Sequence, residues 1–228
     1  MTAKTKTPVS GLTTRHIVYL IFMHTIGAMI LDAGINFGLA TAMYKNSKQP
    51  VYIWPLPNSL AGDIAVTIII QQTLTWILDR LAVRGDLKKG LVAPLRMPSD
   101  ASKLVRWFVG LEDIKAVGRP GFAFHIKRVV VLVVASFLVY WPITIGILYG
   151  LKSGNVGAVA SDATGAQAEG EFNLWPFPQI FKAVYSAALG LTTPFISYVT
   201  LIYQGETQAA ATAAGSAAAG DEESKATN

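Results

Sequence analysis

Four long runs of mostly apolar residues constrain this chain more than any other feature. They cover residues 17–43, 60–78, 129–151 and 180–203, with lengths of 27, 19, 23 and 24. About 20 helical residues cross a hydrocarbon layer about 30 Å thick, and a spanning segment must satisfy its backbone polar groups internally. The runs therefore predict an all-α polytopic membrane protein with four transmembrane helices arranged as two hairpins. Composition agrees: 14% of residues are charged and 52% hydrophobic, against about 25% charged in a typical soluble domain. Lys4, Lys6 and Arg15 before the first run, with "ATA" at 40–42, resemble a cleaved signal peptide. The run is about twice the usual signal core and carries Asp32 and Asn36, so a retained anchor is expected.

Basic residues are distributed unevenly between the loops, and that unevenness sets orientation. Residues 79–128 hold eleven Lys and Arg against five acids, a net charge of +6, and the N-terminal tail holds three more bases. The opposite side has only Lys45, Lys48, Lys152 and Lys182. Both termini and the central loop are thus expected in the cytosol or its equivalent. The phrases "WPLP" at 54–57 and "WPFP" at 175–178 are expected on the other side. There Trp54 and Trp175 serve as interfacial anchors, while the prolines hold each approach extended and place Pro57 or Pro178 near the first helical position.

This gives a basic tail over 1–16, a transmembrane hairpin over 17–83, a basic cytosolic loop over 84–126, a second hairpin over 127–204, and a disordered Ala-rich tail over 205–228. Within the basic loop, "SDASKLVRWFVGLEDIKAVG" spaces Leu104, Trp107, Phe108 and Leu111 helically. Ser99 is the expected N-cap and Gly118 the stop of a short amphipathic helix lying in the interface. Lys88, Lys89, Lys103, Arg106 and Trp107 are the candidate lipid-surface residues, facing anionic headgroups. A loop that only fixes orientation, or a helix packed on a partner protein, would carry the same pattern.

A polar stripe separates the first two runs from the last two. His24, Ala28, Asp32, Asn36 and Ala40 recur at intervals of four, as do Asp63, Thr67, Gln71, Thr75 and Asp79. Such spacing keeps neighbours on one helix face. In an antiparallel hairpin Asp32 and Gln71 fall at the same depth near mid-membrane, with Asn36 near Thr67 and His24 near Thr75. A carboxylate at that depth costs at least about 2.5 kcal/mol and needs a partner. One account bonds Asp32 to Gln71, Gln72 or Asn36 as glue. The other is a proton or cation path along His24, Asp32 and Asn36. Asp63 falls in the first turn, where it complements the helix dipole, and Asp79 sits at the cytosolic end beside Arg80. Gly34, Gly38 and Ala42, and separately Gly146 and Gly150, form small-residue ladders for close helix approach. Pro142 and Pro194 are expected to kink their helices.

There are no cysteines, only three histidines, and no catalytic or nucleotide motif. No catalytic, cofactor-binding or metal residues are assigned, and no cofactor or nucleic-acid partner is expected. The stretches "LDAGINFGLATAMYK" and "WPLPNSLAGDIAVTIIIQQTLTWILDR" resemble an uncharacterised group of small four-span fungal membrane proteins. The resemblance covers about the first 95 residues and implies an integral membrane protein without an assigned activity. The expected function is a non-enzymatic scaffold or accessory subunit of a membrane complex. Its expected partners are the bilayer with its anionic headgroups and a membrane protein or second copy. The alternative is a small transporter or proton-linked carrier using Asp32.

Overall fold

The computed structural model describes residues 6–47, 50–55, 59–111, 114, 121–158 and 170–226. Its elements are α1 (Thr14–Val18), a π-helical stretch (Tyr19–Ile26), α2 (Gly27–Tyr44), α3 (Leu60–Lys88), α4 (Lys103–Val109), α5 (Phe122–Ser153), α6 (Phe177–Gly190) and α7 (Thr193–Ala226). The described residues contain no strand, only the isolated bridges Val9–Leu95 and Val51–Phe172. Four stretches are long and apolar enough to cross a membrane: Thr14–Tyr44, Leu60–Lys88, Phe122–Ser153 and Phe177–Ser216.

Local chemistry sets the helix ends. Thr13 starts α1 by exchanging hydrogen bonds with His16, whose Nδ1 accepts from the Thr13 backbone N–H at 3.3 Å. At the end of α3, Gly90 takes φ +71° while its N–H donates to the Leu87 carbonyl and that of Leu91 to Asp86, both at 3.0 Å. These two bonds close the orphan carbonyls of a helix end, and the positive φ suits glycine. Helix α4 starts at Ser102 rather than Ser99, because the Ser102 Oγ accepts from the Val105 N–H at 3.3 Å. It stops at Gly110, φ +74°, earlier than the expected Gly118, which lies outside the described residues.

The two internal prolines behave differently. α5 continues through Pro142, whereas the fourth run breaks before Pro194. Leu191 and Thr192 donate to Ala188 and Leu189 at 3.2 and 3.1 Å, ending α6 tightly. Pro194 then falls in the first turn of α7, where a missing N–H costs nothing. α7 also runs to Ala226, through residues expected to be disordered; alanine is the strongest helix former, so low complexity need not mean absence of helix. Both Trp–Pro bonds, 54–55 and 175–176, are cis. Pro176 caps α6 and Pro178 is its second residue, while Pro57 lies outside the described residues.

The chain divides into two compact units. One consists of Thr25–Thr75 and Val129–Thr192. Ile64, Ile68, Tyr185 and Leu189 form one buried cluster in it, and Val51, Ile53, Leu60, Leu148 and Phe172 another. Helix α2 packs against α6. Gly190 allows that approach, since a Cβ there would lie 3.3 Å from the Met29 backbone and 3.1 Å from an Asp32 carboxylate oxygen.

The other unit consists of Met1–His24, Trp76–Arg128 and Thr193–Asn228. Trp76, Val83, Leu95, Phe108, Ile196 and Leu201 are buried in it. Its irregular segment around Leu95 is held by backbone bonds. Leu95 donates to the Leu201 carbonyl at 3.1 Å, and Val9 bonds Pro94 and Arg96 at 3.0 and 2.9 Å. Glu206 accepts from the Met97 N–H at 2.9 Å and pairs with Arg96 at 3.2 Å. The segment reaches α7 only because residue 205 is glycine: a Cβ there would overlap the Leu95 carbonyl.

Gly205→Ala is accordingly expected to lower the thermal unfolding midpoint of the purified protein, by an overpacking cost of about 1–3 kcal/mol. Helix propensity alone predicts the opposite sign, a gain of about 1 kcal/mol. Gly85→Ala, where a Cβ meets nothing within 4 Å, is expected to be neutral or stabilising in the same assay.

Candidate functional site

The polar residues of the apolar runs gather into buried clusters. In the Thr25–Thr75 and Val129–Thr192 unit, Gln71 Nε2 donates to an Asp32 carboxylate oxygen and to the Ser186 carbonyl, both at 2.8 Å. Ser186 Oγ donates back to the Asp32 carbonyl at 3.1 Å, and Asn36 Nδ2 donates to the same carbonyl at 3.0 Å. Beside them Thr192 Oγ1 donates to Gln72 Oε1 at 3.0 Å. Asp32 is thus bonded to α3 and α6 together. Among the described residues Gln71 Oε1 and Gln72 Nε2 are buried without partners. Thr67 bonds the Asp63 carbonyl of its own helix at 2.8 Å rather than Asn36, and Thr75 is half-buried.

A second cluster in this unit was not expected from the sequence. Lys182 Nζ lies 2.5 Å from an Asp63 carboxylate oxygen, with side chains only 7% and 11% exposed. Tyr44 OH donates to the other Asp63 oxygen at 3.3 Å. Asp63 is therefore the counter-ion of a buried lysine, and not only a complement to the helix dipole. A cavity of about 290 Å³ opens beside it, with Tyr44, Ser47, Tyr52, Ser59 and Asp63 in its wall. Trp54 packs edge-on against Trp141 at 5.8 Å. Trp175 packs against Phe37 at 6.1 Å under the Lys45 ammonium at 5.0 Å. Both candidate anchors keep more than a third of their surface exposed.

In the other unit His24, on the π-helical stretch, hydrogen-bonds Asp79, whose second oxygen accepts from Ser197 Oγ at 2.7 Å. The Tyr19 ring packs tilted against His24 at 4.5 Å, and its hydroxyl donates to Asp86 at 2.9 Å. The order of these groups decides their chemistry. Nucleophile activation places histidine between serine and acid; here the acid stands between, so His24 cannot take the Ser197 proton. The bonds of Asp79 thus go to His24 and Ser197 and not to its sequence neighbour Arg80. Arg80 is buried between the rings of Trp76 and Tyr203, 4.9 and 5.2 Å from their centres.

Arg128 fastens α4. It donates to the carbonyls of Trp107 and Phe108 at 2.5 and 3.4 Å and stacks on Phe124 at 3.6 Å. Phe108 is buried as a result, whereas Leu104 and Trp107 are exposed. Lys88, Lys89, Lys103 and Arg106 also lie on the surface. His16 is buried and bonded to the Ala93 carbonyl at 2.9 Å. Among the described residues no three His, Asp or Glu side chains are grouped to hold a metal ion.

The Asp63–Lys182 pair gives a direct test. Lys182→Met strands a buried carboxylate and is expected to cost about 3–5 kcal/mol, whereas replacing both partners by apolar residues costs far less. A double-mutant cycle on thermal or denaturant unfolding of Lys182→Met, Asp63→Leu and their combination reads this coupling.

Residues 121–201 match a protein-family model described as a protein of unknown function, DUF2456. That match covers a different region from the N-terminal stretches that carry the resemblance. An uncharacterised protein of Schizosaccharomyces pombe is 32% identical over 206 residues, 83% of this chain but 38% of its own length. An uncharacterised protein of Saccharomyces cerevisiae is 21% identical over 256 aligned positions, covering 83% of this chain and 78% of its own. This chain therefore spans little more than a third of the S. pombe relative. No solved structure matches it. The chain is similar to uncharacterised fungal proteins across most of its length.

Proposed function

We propose that this is a non-enzymatic integral membrane protein, a four-span scaffold or accessory subunit that works through helix contacts and a basic cytosolic surface. The observation that carries this reading is the use made of the intramembrane acids. Asp32, Asp63 and Asp79 each bond a side chain on another helix, so the polar stripe is spent on holding helices together. The outward positions are apolar, with Ile30 69%, Leu138 70% and Val184 65% exposed, which suits lipid. At Gly34, Gly38, Gly146 and Gly150 a Cβ would meet nothing within 4 Å. These ladders are unused within the chain and fit a neighbouring helix, from a partner or a second copy.

A carrier is the second reading, favoured by Gln71 Oε1 and Gln72 Nε2, which are buried without partners among the described residues near the Asp32–Gln71 bond. Asp32→Asn separates the two. In a scaffold it leaves the co-purifying partners unchanged; in a carrier it abolishes flux in proteoliposomes while the fold persists. Flux by the wild-type protein that Asp32→Asn removes would overturn the scaffold reading.

Orientation is testable because the chain has no cysteine. In sealed cells an impermeant maleimide is expected to label Ser153→Cys and to reach Lys89→Cys only after permeabilisation. Release of the whole chain by alkaline carbonate would end the membrane reading itself.

A further inference from the structure

Arg80 presents an imbalance that the described residues do not resolve. The residue lies within an apolar helix and is 4% exposed, and among the described residues neither Nη1 nor Nη2 has an acceptor. Arg84 and Arg128 lie close enough to repel it, and all three guanidinium groups act on His125. Arg128 spends its donors on the carbonyls of Trp107, Phe108 and Phe124. Among the described residues the acid acting on Arg80 is Asp79, whose two oxygens already bond His24 and Ser197. Ring faces attract a guanidinium but take none of its hydrogen bonds, and a buried cation requires an anion with acceptor oxygens.

We propose that Arg80, together with Arg84 and His125, binds the phosphate of an anionic phospholipid headgroup. The planar fork of a guanidinium matches two phosphate oxygens, and such bidentate charge-assisted bonds are stronger than stacking on a ring. A headgroup therefore displaces the aromatic cover of Arg80 rather than adding to it. Arg84 and His125 are only half-buried and form the approach. Trp76 Nε1 donates to His125 Nδ1 at 3.4 Å; indole is a donor only, so the imidazole proton sits on Nε2, free to donate. The surroundings favour a lipid over a soluble phosphate. α4, tied to Arg128, exposes Leu104 and Trp107 beside Lys103 and Arg106, an apolar and basic rim that suits acyl chains and headgroups. The site differs from the surface lysines the sequence suggests, and it rests on the membrane reading above.

The test uses the full chain in uncharged detergent, titrated with dioctanoyl phosphatidic acid, dioctanoyl phosphatidylcholine and inorganic phosphate, and read by native mass spectrometry. One phosphatidic acid per chain is expected, at least about tenfold tighter than phosphatidylcholine. Arg80→Gln and Arg84→Gln are each expected to weaken it at least about tenfold, the equivalent of one charged hydrogen bond. Arg84 is partly exposed, so its variant keeps the test open if Arg80→Gln does not fold. Equal affinity in wild type and Arg84→Gln overturns the proposal. Inorganic phosphate binding as tightly as phosphatidic acid overturns the lipid assignment in favour of a soluble phosphate. Carbonate extraction reports separately on the membrane reading, so failure of one is not mistaken for failure of the other.

Discussion

A charge buried among apolar helices must meet its complement on another helix, and that requirement organises much of this protein. Within the unit formed by Thr25–Thr75 and Val129–Thr192, Asp32 meets Gln71 and Asp63 meets Lys182. These contacts also fix register, because sliding a helix by one turn would separate both. Apolar packing alone specifies register weakly, since one isoleucine or leucine substitutes readily for another along a lipid-facing face. Polar pairs of this kind add only about 0.6–2 kcal/mol each when both partners have alternatives, but leaving one partner alone is far more expensive. Their structural value lies in that asymmetry.

The helical class and the four long apolar elements were legible from run length. The Asp32–Gln71 contact was legible too, because four-residue spacing and antiparallel depth place the two residues together. The Asp63–Lys182 pair had the same kind of signal. Asp63 is the fourth residue of the run 60–78 and Lys182 the third of 180–203, and both runs were expected to cross in the same direction. Lys182 was counted only toward orientation, as a base just inside the fourth helix, and its depth was not compared with that of Asp63. The partners of Asp79 were not legible, since adjacent residues project about 100° apart and its neighbour Arg80 does not share its face. Asp79 points instead to His24 and Ser197. The π-helical stretch carrying His24 and the N-cap at Ser102 depend on backbone contacts that periodicity does not encode.

Glycines show why local pattern stops short of tertiary structure. Gly34, Gly38, Gly146 and Gly150 fit the small-residue pattern, but a Cβ at each would meet nothing within 4 Å among the described residues. Gly190 and Gly205 belong to no such ladder in the sequence reading, yet a Cβ at either would press on neighbouring backbone. Gly205 matters only because Leu95, over a hundred residues earlier, lies across it. Small side chains therefore mark where close approach is permitted. Which approach occurs is decided by segments far apart in sequence.

The buried cations illustrate two ways of carrying charge out of water. Lys182, a compact and strongly hydrated ammonium, sits directly on a carboxylate. Arg80 has a delocalised, weakly hydrated guanidinium that tolerates ring faces on both sides. The two solutions are not equivalent. A carboxylate cancels the charge and accepts its hydrogen bonds, so the Lys182 site is closed. Aromatic rings lower the cost of burial without cancelling the charge, and Arg84 and Arg128 add to the same positive field. A lysine in place of Arg80 would keep the charge and lose the planar fork. An apolar residue would relieve the repulsion and pack against Trp76 and Tyr203. Arginine at this position, with both terminal nitrogens lacking acceptors among the described residues, therefore differs in kind from the closed Asp63–Lys182 ion pair.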